Sequence, residues 1–333
     1  VRVVLDAKGL PGDFVPEAFA RDEPGARTLF ASVRQRRIAA VADDGRVSDF
    51  APAARDGLMS VLGLHVVGDE VLVASSGMAE MRPADASRVG SAGVFAFARD
   101  TGELRGRWLL PAPASGRGHA IGDLLPLAGG RVLATDSGLG IVWLLDRDSG
   151  HWYRLFGGPE LAPTSDWIGS PQGIADLGDG AFAFADYTTG LWIARELEVV
   201  DGQPAPTASP PPARILRERG ATAKLARLES DVPAALYGID GLYVYRGDLI
   251  ATQNGTNPQR VLRLHLDPGR TRIVRVEVIA SGHPQWDEIT LGEIVGDEFR
   301  FVANSHWSKF DAKGELPATD TLTPPTIMAV DLR

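Results

Sequence analysis

Residues 237–267, YGIDGLYVYRGDLIATQNGTNPQRVLRLHLD, constrain the chain more than any other stretch, because they hold one whole unit of a pattern that recurs along it. A polar residue precedes a small apolar pair in Asp240-Gly241-Leu242, and a short strand over 242–245 then meets a turn at Arg246-Gly247-Asp248. A second strand is expected over 249–252, a turn-rich run over 253–258, an alternating third strand over 260–266 and a fourth over 272–279. Period-2 alternation bounded by Gly, Asn, Asp and Pro is the signature of antiparallel hairpins. One unit is therefore one four-stranded antiparallel sheet.

The same pattern begins again near residues 17, 62, 122, 172 and 292. The first unit spans 17–50, the second carries a polar insertion over 77–92, and the fourth is followed by the run QPAPTASPPPA at 203–213, too rich in Pro for a ladder strand and read as a surface excursion. The sixth unit stops one strand short. The lone strand VRVVLDA at 1–7 has no hairpin partner after it and resembles the fourth strands of the other units, so it is expected beside 327–332. Repetition at this period, with no competing helical periodicity, predicts an all-β fold: a six-bladed β-propeller of four antiparallel strands per blade, one domain over 1–333, closed by the N-terminal strand completing the last blade. The 38 Gly and 23 Pro suit the many tight turns this requires.

A formal net charge of −9 argues against a nucleic-acid partner. The basic cluster Arg34-Gln35-Arg36-Arg37 lies between two expected strands and reads as a solvated hairpin. The absence of Cys excludes disulfides, thiolate metal sites and Cys nucleophiles, and fits an exported or periplasmic protein as well as a cytoplasmic one. No apolar run reaches the roughly 18 residues of a membrane span. A start at Val1 fits a trimmed chain or a mature one that has lost its signal peptide.

In a propeller the innermost strand of each blade lines a channel, and the residue just ahead of it faces the channel mouth. Two positions ahead of the recurring apolar residue stand Glu17, Leu62, Gly122, Gln172, Asp240 and Gly292. Three of these are oxygen donors. Two carboxylates and an amide carbonyl suit a hard cation such as calcium. Zinc is disfavoured, since none of the six His lies in a His-Glu-x-x-His pattern. No Gly-x-Ser-x-Gly elbow, phosphate-binding glycine loop or dinucleotide fingerprint is present.

The blade count, with Pro16-Glu17-Ala18, Gln172-Gly173-Ile174 and Asp240-Gly241-Leu242, resembles the gluconolactonase/regucalcin family and, more distantly, paraoxonases and diisopropyl fluorophosphatase. The resemblance implies one axial calcium held by Glu17, Gln172 and Asp240, and hydrolysis of a small-molecule lactone or related ester. The metal would polarise the ester carbonyl while a carboxylate or His activates water. Asp240 is the corresponding carboxylate, and His119, just ahead of the third inner strand, is the best-placed histidine for a general base. The sequence departs from the family pattern twice, with Gln172 for the usual Asn and Gly122 where a second Asn falls, and Asp123 stands beside the latter.

A second polar set ends the second strands: Ser75-Ser76, Asp136-Ser137, Asp186-Tyr187, Gln253-Asn254 and Asn304-Ser305-His306-Trp307. Asn254, Asn304, His306 and Trp307 are candidates for contacting substrate, whereas Asp136 and Ser137 read as hairpin caps. Asn254-Gly255-Thr256 is formally a glycosylation acceptor and equally an ordinary turn, and His283, Trp286, Asp287 and Glu288 are further rim candidates. Two alternatives stay open: a non-catalytic propeller binding a ligand or protein through the rim carrying 77–92 and 203–213, and a metal-independent enzyme resembling strictosidine synthase that relies on a Glu.

Overall fold

Short strands of alternating character, each closed by a tight turn, build six antiparallel sheets in the computed structural model. It describes residues 1–113, 116–158, 161–163, 170–199, 221–311, 313–316 and 322–333. The segment 203–213 lies outside the described residues.

Strand β1 (Arg2–Asp6) precedes blade 1, which comprises β2 (Pro16–Asp22), β3 (Arg27–Ser32), β4 (Arg37–Ala42) and β5 (Val47–Ala51). Blade 2 holds β6 (Ser60–Val67), β7 (Glu70–Ser76), β8 (Ala92–Ala98) and β9 (Leu104–Leu109). Blade 3 holds β10 (Ile121–Pro126), β11 (Arg131–Asp136), β12 (Ile141–Asp146) and β13 (His151–Gly157). Blade 4 holds β14 (Ile174–Gly178), β15 (Ala181–Asp186), β16 (Gly190–Val199) and β17 (Ala221–Arg227). Blade 5 adds the short β18 (Glu229–Ser230), parallel to its outer edge, to β19 (Ile239–Tyr245), β20 (Asp248–Gln253), β21 (Arg260–Leu266) and β22 (Arg272–Ser281). Blade 6 holds β23 (Gly292–Val295), β24 (Glu298–Val302) and β25 (Thr326–Asp331), with β1 paired antiparallel to β25 as its fourth strand. The fold is a six-bladed β-propeller.

The chain divides into two compact units of three blades each: 1–121 with 282–333, carrying blades 6, 1 and 2, and 122–281, carrying blades 3, 4 and 5. Within each unit the cores lie where neighbouring blades face each other. In the first, Leu29, Ala31 and Ile38 of blade 1 pack with Leu64, Val73, Phe95 and Phe97 of blade 2. Phe19, Phe30 and Val41 pack with Val302 and Ile327 of blade 6. In the second, Leu144, Tyr153 and Phe156 of blade 3 meet Phe182, Phe184 and Trp192 of blade 4, and Ala183 and Ile193 meet Leu242, Leu249 and Leu262 of blade 5. The middle strands β3, β7, β8, β11 and β15 are buried almost throughout and read as nearly continuous apolar runs, whereas the outer strands β9 and β22 are half exposed.

Three of the innermost strands share one irregularity. The register of β2 against β3 shifts between Pro16 and Phe19, that of β6 against β7 between Val61 and Leu64, and that of β19 against β20 between Ile239 and Leu242. Glu17, Leu62 and Asp240 thus each sit on a β-bulge, which breaks the ladder, frees a carbonyl and re-aims a side chain. No helix among the described residues is long and apolar enough to cross a membrane.

Candidate active site

In the unit 122–281 the candidate site is built around Asp240. Its bulge releases the backbone carbonyl, which accepts the Gly173 N–H of blade 4 at 2.6 Å. The Gly241 N–H, equally displaced, donates to Thr252 Oγ1 at 2.8 Å. The carboxylate is 7% exposed, and its Oδ2 accepts a hydrogen bond from Asn254 Nδ2 at 2.8 Å. Asn254 Oδ1 in turn accepts from the Tyr187 hydroxyl at 2.7 Å. The side chain of Asn254 is therefore turned inward to the carboxylate and the phenol.

Gln172 and Gly122 explain each other. Gln172 extends the inner edge of blade 4 by donating its N–H to the Ala185 carbonyl at 2.8 Å, and its side-chain Oε1 lies 3.2 Å from where a Cβ on Gly122 would stand. The longer amide reaches over a position that carries no side chain. Asp123 is committed elsewhere: it is buried, and its two oxygens accept the Leu124 N–H at 2.8 Å and the Ile174 N–H at 3.3 Å, stitching blade 3 to blade 4.

In the unit of blades 6, 1 and 2, Glu17 is handled in the same way as Asp240. Its freed carbonyl accepts Thr290 Oγ1–H at 2.8 Å and the Leu291 N–H at 3.2 Å. Its carboxylate is also 7% exposed, and Oε2 accepts the Trp307 indole N–H at 2.6 Å. Trp307 opens a single 3-10 turn, Trp307–Lys309, and its partly buried ring packs beside Val15, Val33, Phe310 and Leu322.

Asn304 and His306 are buried and act as braces. Asn304 Nδ2 donates to Thr323 Oγ1 and the Pro324 carbonyl at 2.8 and 2.9 Å, while its Oδ1 accepts the Thr326 N–H at 2.8 Å. His306 Nδ1 lies 2.8 Å from Asp287 Oδ2, and Nε2 lies 3.2 Å from Thr323. Of the other rim candidates, Glu288 accepts the Ser308 N–H at 2.9 Å and burial pushes its carboxyl upward, while Trp286 meets the Phe301 ring edge-on. His119 is 4% exposed with Nε2 3.0 Å from the Pro111 carbonyl. A carbonyl only accepts, so Nε2 carries the proton and any base chemistry at His119 runs through Nδ1. Asp136 caps its turn, accepting the Gly138 and Leu139 N–H groups, and Asp186 does the same with Thr188 and Thr189.

Among the described residues no group of three or more His, Cys, Asp or Glu is gathered as a cation cage. The expected donors are two carboxylates and one amide oxygen, a set of hard oxygen ligands whose chemistry fits a calcium-type ion with water completing its shell. Sequence reasoning missed Tyr187 as a partner of Asn254 and Trp307 as the donor to Glu17. It also passed over Glu293 on β23, whose Oε2 accepts the Arg21 N–H at 3.2 Å while Oε1 is buried without a hydrogen bond. Burial pushes this carboxyl up to about 7, against the pull of Arg300, His65 and Arg21.

No protein-family model matches the chain, and no curated protein matches it. Solved structures do share its fold. A gluconolactonase from Xanthomonas campestris superposes with a TM-score of 0.57 at 12% identity, covering 98% of this chain and 89% of the neighbour. Regucalcin from Agrobacterium tumefaciens, a calcium-binding protein, gives 0.55 at 14% identity over 98% and 94%. Virginiamycin B lyase from Staphylococcus aureus gives 0.57 at 13% identity over 99% and 98%. The structural neighbours thus include gluconolactonase and regucalcin, as the sequence resemblance implied. At these identities they establish the propeller, and the presence of a lyase among them shows that the fold is shared by different chemistries.

Proposed function

We propose that the protein is a hydrolase of lactones or related esters that works with a divalent cation, calcium in the first instance, with Glu17, Gln172 and Asp240 as its ligands. The observation that carries this reading is the matched handling of two buried carboxylates. Glu17 and Asp240 each sit on a bulge of an innermost strand, with the freed backbone carbonyl tied to the next blade and one carboxylate oxygen held by a side-chain N–H. Burying a carboxylate is costly unless it is compensated, and a hard cation is one such compensation. The gluconolactonase and regucalcin neighbours support the same class.

A divalent cation held by Glu17, Gln172 and Asp240 would supply Lewis acidity at the ester carbonyl. The rest falls to the chain. Asp240, fixed through Oδ2 by Asn254, takes the proton of the attacking water; the partly buried Trp307 ring offers a flat wall to a sugar-like or aryl substrate. The polar atoms of Asn254, Asn304 and His306 are engaged with protein groups, which suits bracing more than direct contact with substrate. The products are a hydroxy acid from a lactone, or an acid and an alcohol from an open ester.

The test is a panel of aldonolactones, simple γ- and δ-lactones and aryl esters, assayed with calcium and with chelator. Turnover that disappears in chelator and in Asp240→Ala supports the reading; turnover that persists in chelator removes the cation and favours the metal-independent alternative. A second reading has one observation behind it. In the unit 122–281 a cleft of about 510 Å³ is lined by Thr189, Arg227, Glu229, Ser230 and Tyr237. A binding platform would bind a ligand there and keep doing so in Asp240→Ala.

A further inference from the structure

Asp240 ends a directional chain of three side chains, Tyr187, Asn254 and Asp240, drawn from two blades. We propose that Asn254 and Tyr187 form a positioning relay that fixes the Asp240 carboxylate for its role as ligand and base; this inference rests on the reading of Asp240 given above. Donor and acceptor accounting sets the direction. An ionised carboxylate only accepts, so Asn254 must present Nδ2 to Oδ2, at 2.8 Å. That leaves Asn254 Oδ1 facing Tyr187, and an amide oxygen also only accepts, so the phenol donates, at 2.7 Å. Reversing the amide would set its oxygen against the carboxylate and lose the bond to Asp240.

The backbone is shaped around this chain. Tyr187 follows β15 and Asn254 follows β20, and the two segments are joined by hydrogen bonds from the Gly238 N–H to the Tyr187 carbonyl at 2.6 Å and from the Gly255 N–H to the Gly238 carbonyl at 3.0 Å. A Cβ on Gly255 would stand 2.7 Å from the Tyr187 hydroxyl, so the glycine leaves room for the phenol to reach Asn254. The relay therefore has an aromatic end set rigidly by the backbone and an amide that carries its position to the carboxylate. Hydrogen bonding to the ionised form favours that form, and an oxygen held in this way presents the other with a defined direction. Tyr187 acts on Asp240 through Asn254 in this arrangement.

Two measurements test the relay. The first uses no cation: the side-chain amide resonance of Asn254 is identified by its loss in Asn254→Ala and followed by ¹⁵N–¹H spectroscopy in Asp240→Asn and Tyr187→Phe. The relay predicts that the resonance moves in both. The second is calcium affinity by calorimetry, with kcat and KM for whichever ester is turned over. Asn254→Ala is expected to weaken calcium binding about 10-fold, the order found when an outer hydrogen-bonding partner of a metal ligand is removed. Tyr187→Phe is expected to weaken it less, and the double variant no more than Asn254→Ala alone, the result expected when the phenol acts through the amide. An amide resonance indifferent to Tyr187→Phe, additive losses in the double variant, or unchanged calcium binding in Asn254→Ala overturns the relay while leaving the hydrolase reading standing. If the wild-type protein takes up no calcium and hydrolyses nothing, the hydrolase reading fails and the amide resonance alone decides the relay.

Discussion

Glu17 and Asp240 occupy the same place in two blades, and the donors that hold them come from different residue types at the ends of second strands. The column itself was legible, because it depends on counting back from a recurring apolar residue. The donors were not, since Trp307 lies 290 positions from Glu17 and nothing in the local pattern announces the contact. Trp307→Phe keeps most of the ring and removes the N–H, so denaturant titration is expected to show a loss of about 1.5–3 kcal/mol, the range for a hydrogen bond to a charged group. Glu293 makes the pH prediction. Its carboxyl is raised from the ordinary 4.5 to about 7 in the folded chain, so the native state binds a proton more readily than the unfolded one between those values. Its contribution to stability is complete below the unfolded value and is lost as pH rises through about 7. Glu293→Gln is therefore expected to flatten the fall in melting temperature between pH 5 and pH 8 and to be the more stable protein at the upper end, by up to about 3 kcal/mol. Parallel pH profiles for the two proteins would show that the group is not displaced.

At the scale of strands, alternation and turn residues located the blades closely: the third strand of blade 5 spans Arg260–Leu266, as the pattern indicated. Two elements escaped. Strand β17 follows the Pro-rich run, whose composition hid the return of the chain to the sheet, and β18 is a two-residue pairing too short to leave a period. The bulges were invisible for a different reason, since a bulge is a mismatch between two strands and cannot be read from one. Their consequence is a tight approach between blades at Gly173, where an added Cβ would be driven into the Asp240 carbonyl oxygen and the Leu242 N–H. Gly173→Ala is expected to destabilise the fold by about 1–3 kcal/mol through overpacking. It should also lower activity, because the displaced strand carries Asp240; a variant as stable and as active as wild type would mean that the bulge is not held from that side.

Over the whole molecule, the first strand of the chain completes the sheet that the last strand leaves open, with Arg2 opposite Ala329 and Asp6 opposite Thr326. That pairing was legible because the sixth repeat was one strand short. Deleting residues 1–7 would expose the edge of β25, an edge able to recruit another chain, and light scattering should show stronger concentration-dependent association than for the full chain. The chemistry was less legible than the architecture, because a propeller brings together residues far apart in sequence and their hydrogen-bond partners depend on registers between blades. The most direct test of the account is calorimetric titration of chelator-treated protein with calcium, beside Glu17→Gln and Asp240→Asn. The account predicts saturable binding by the wild type that is lost in both variants. Absence of binding by the wild type, or binding that survives both substitutions, would contradict it.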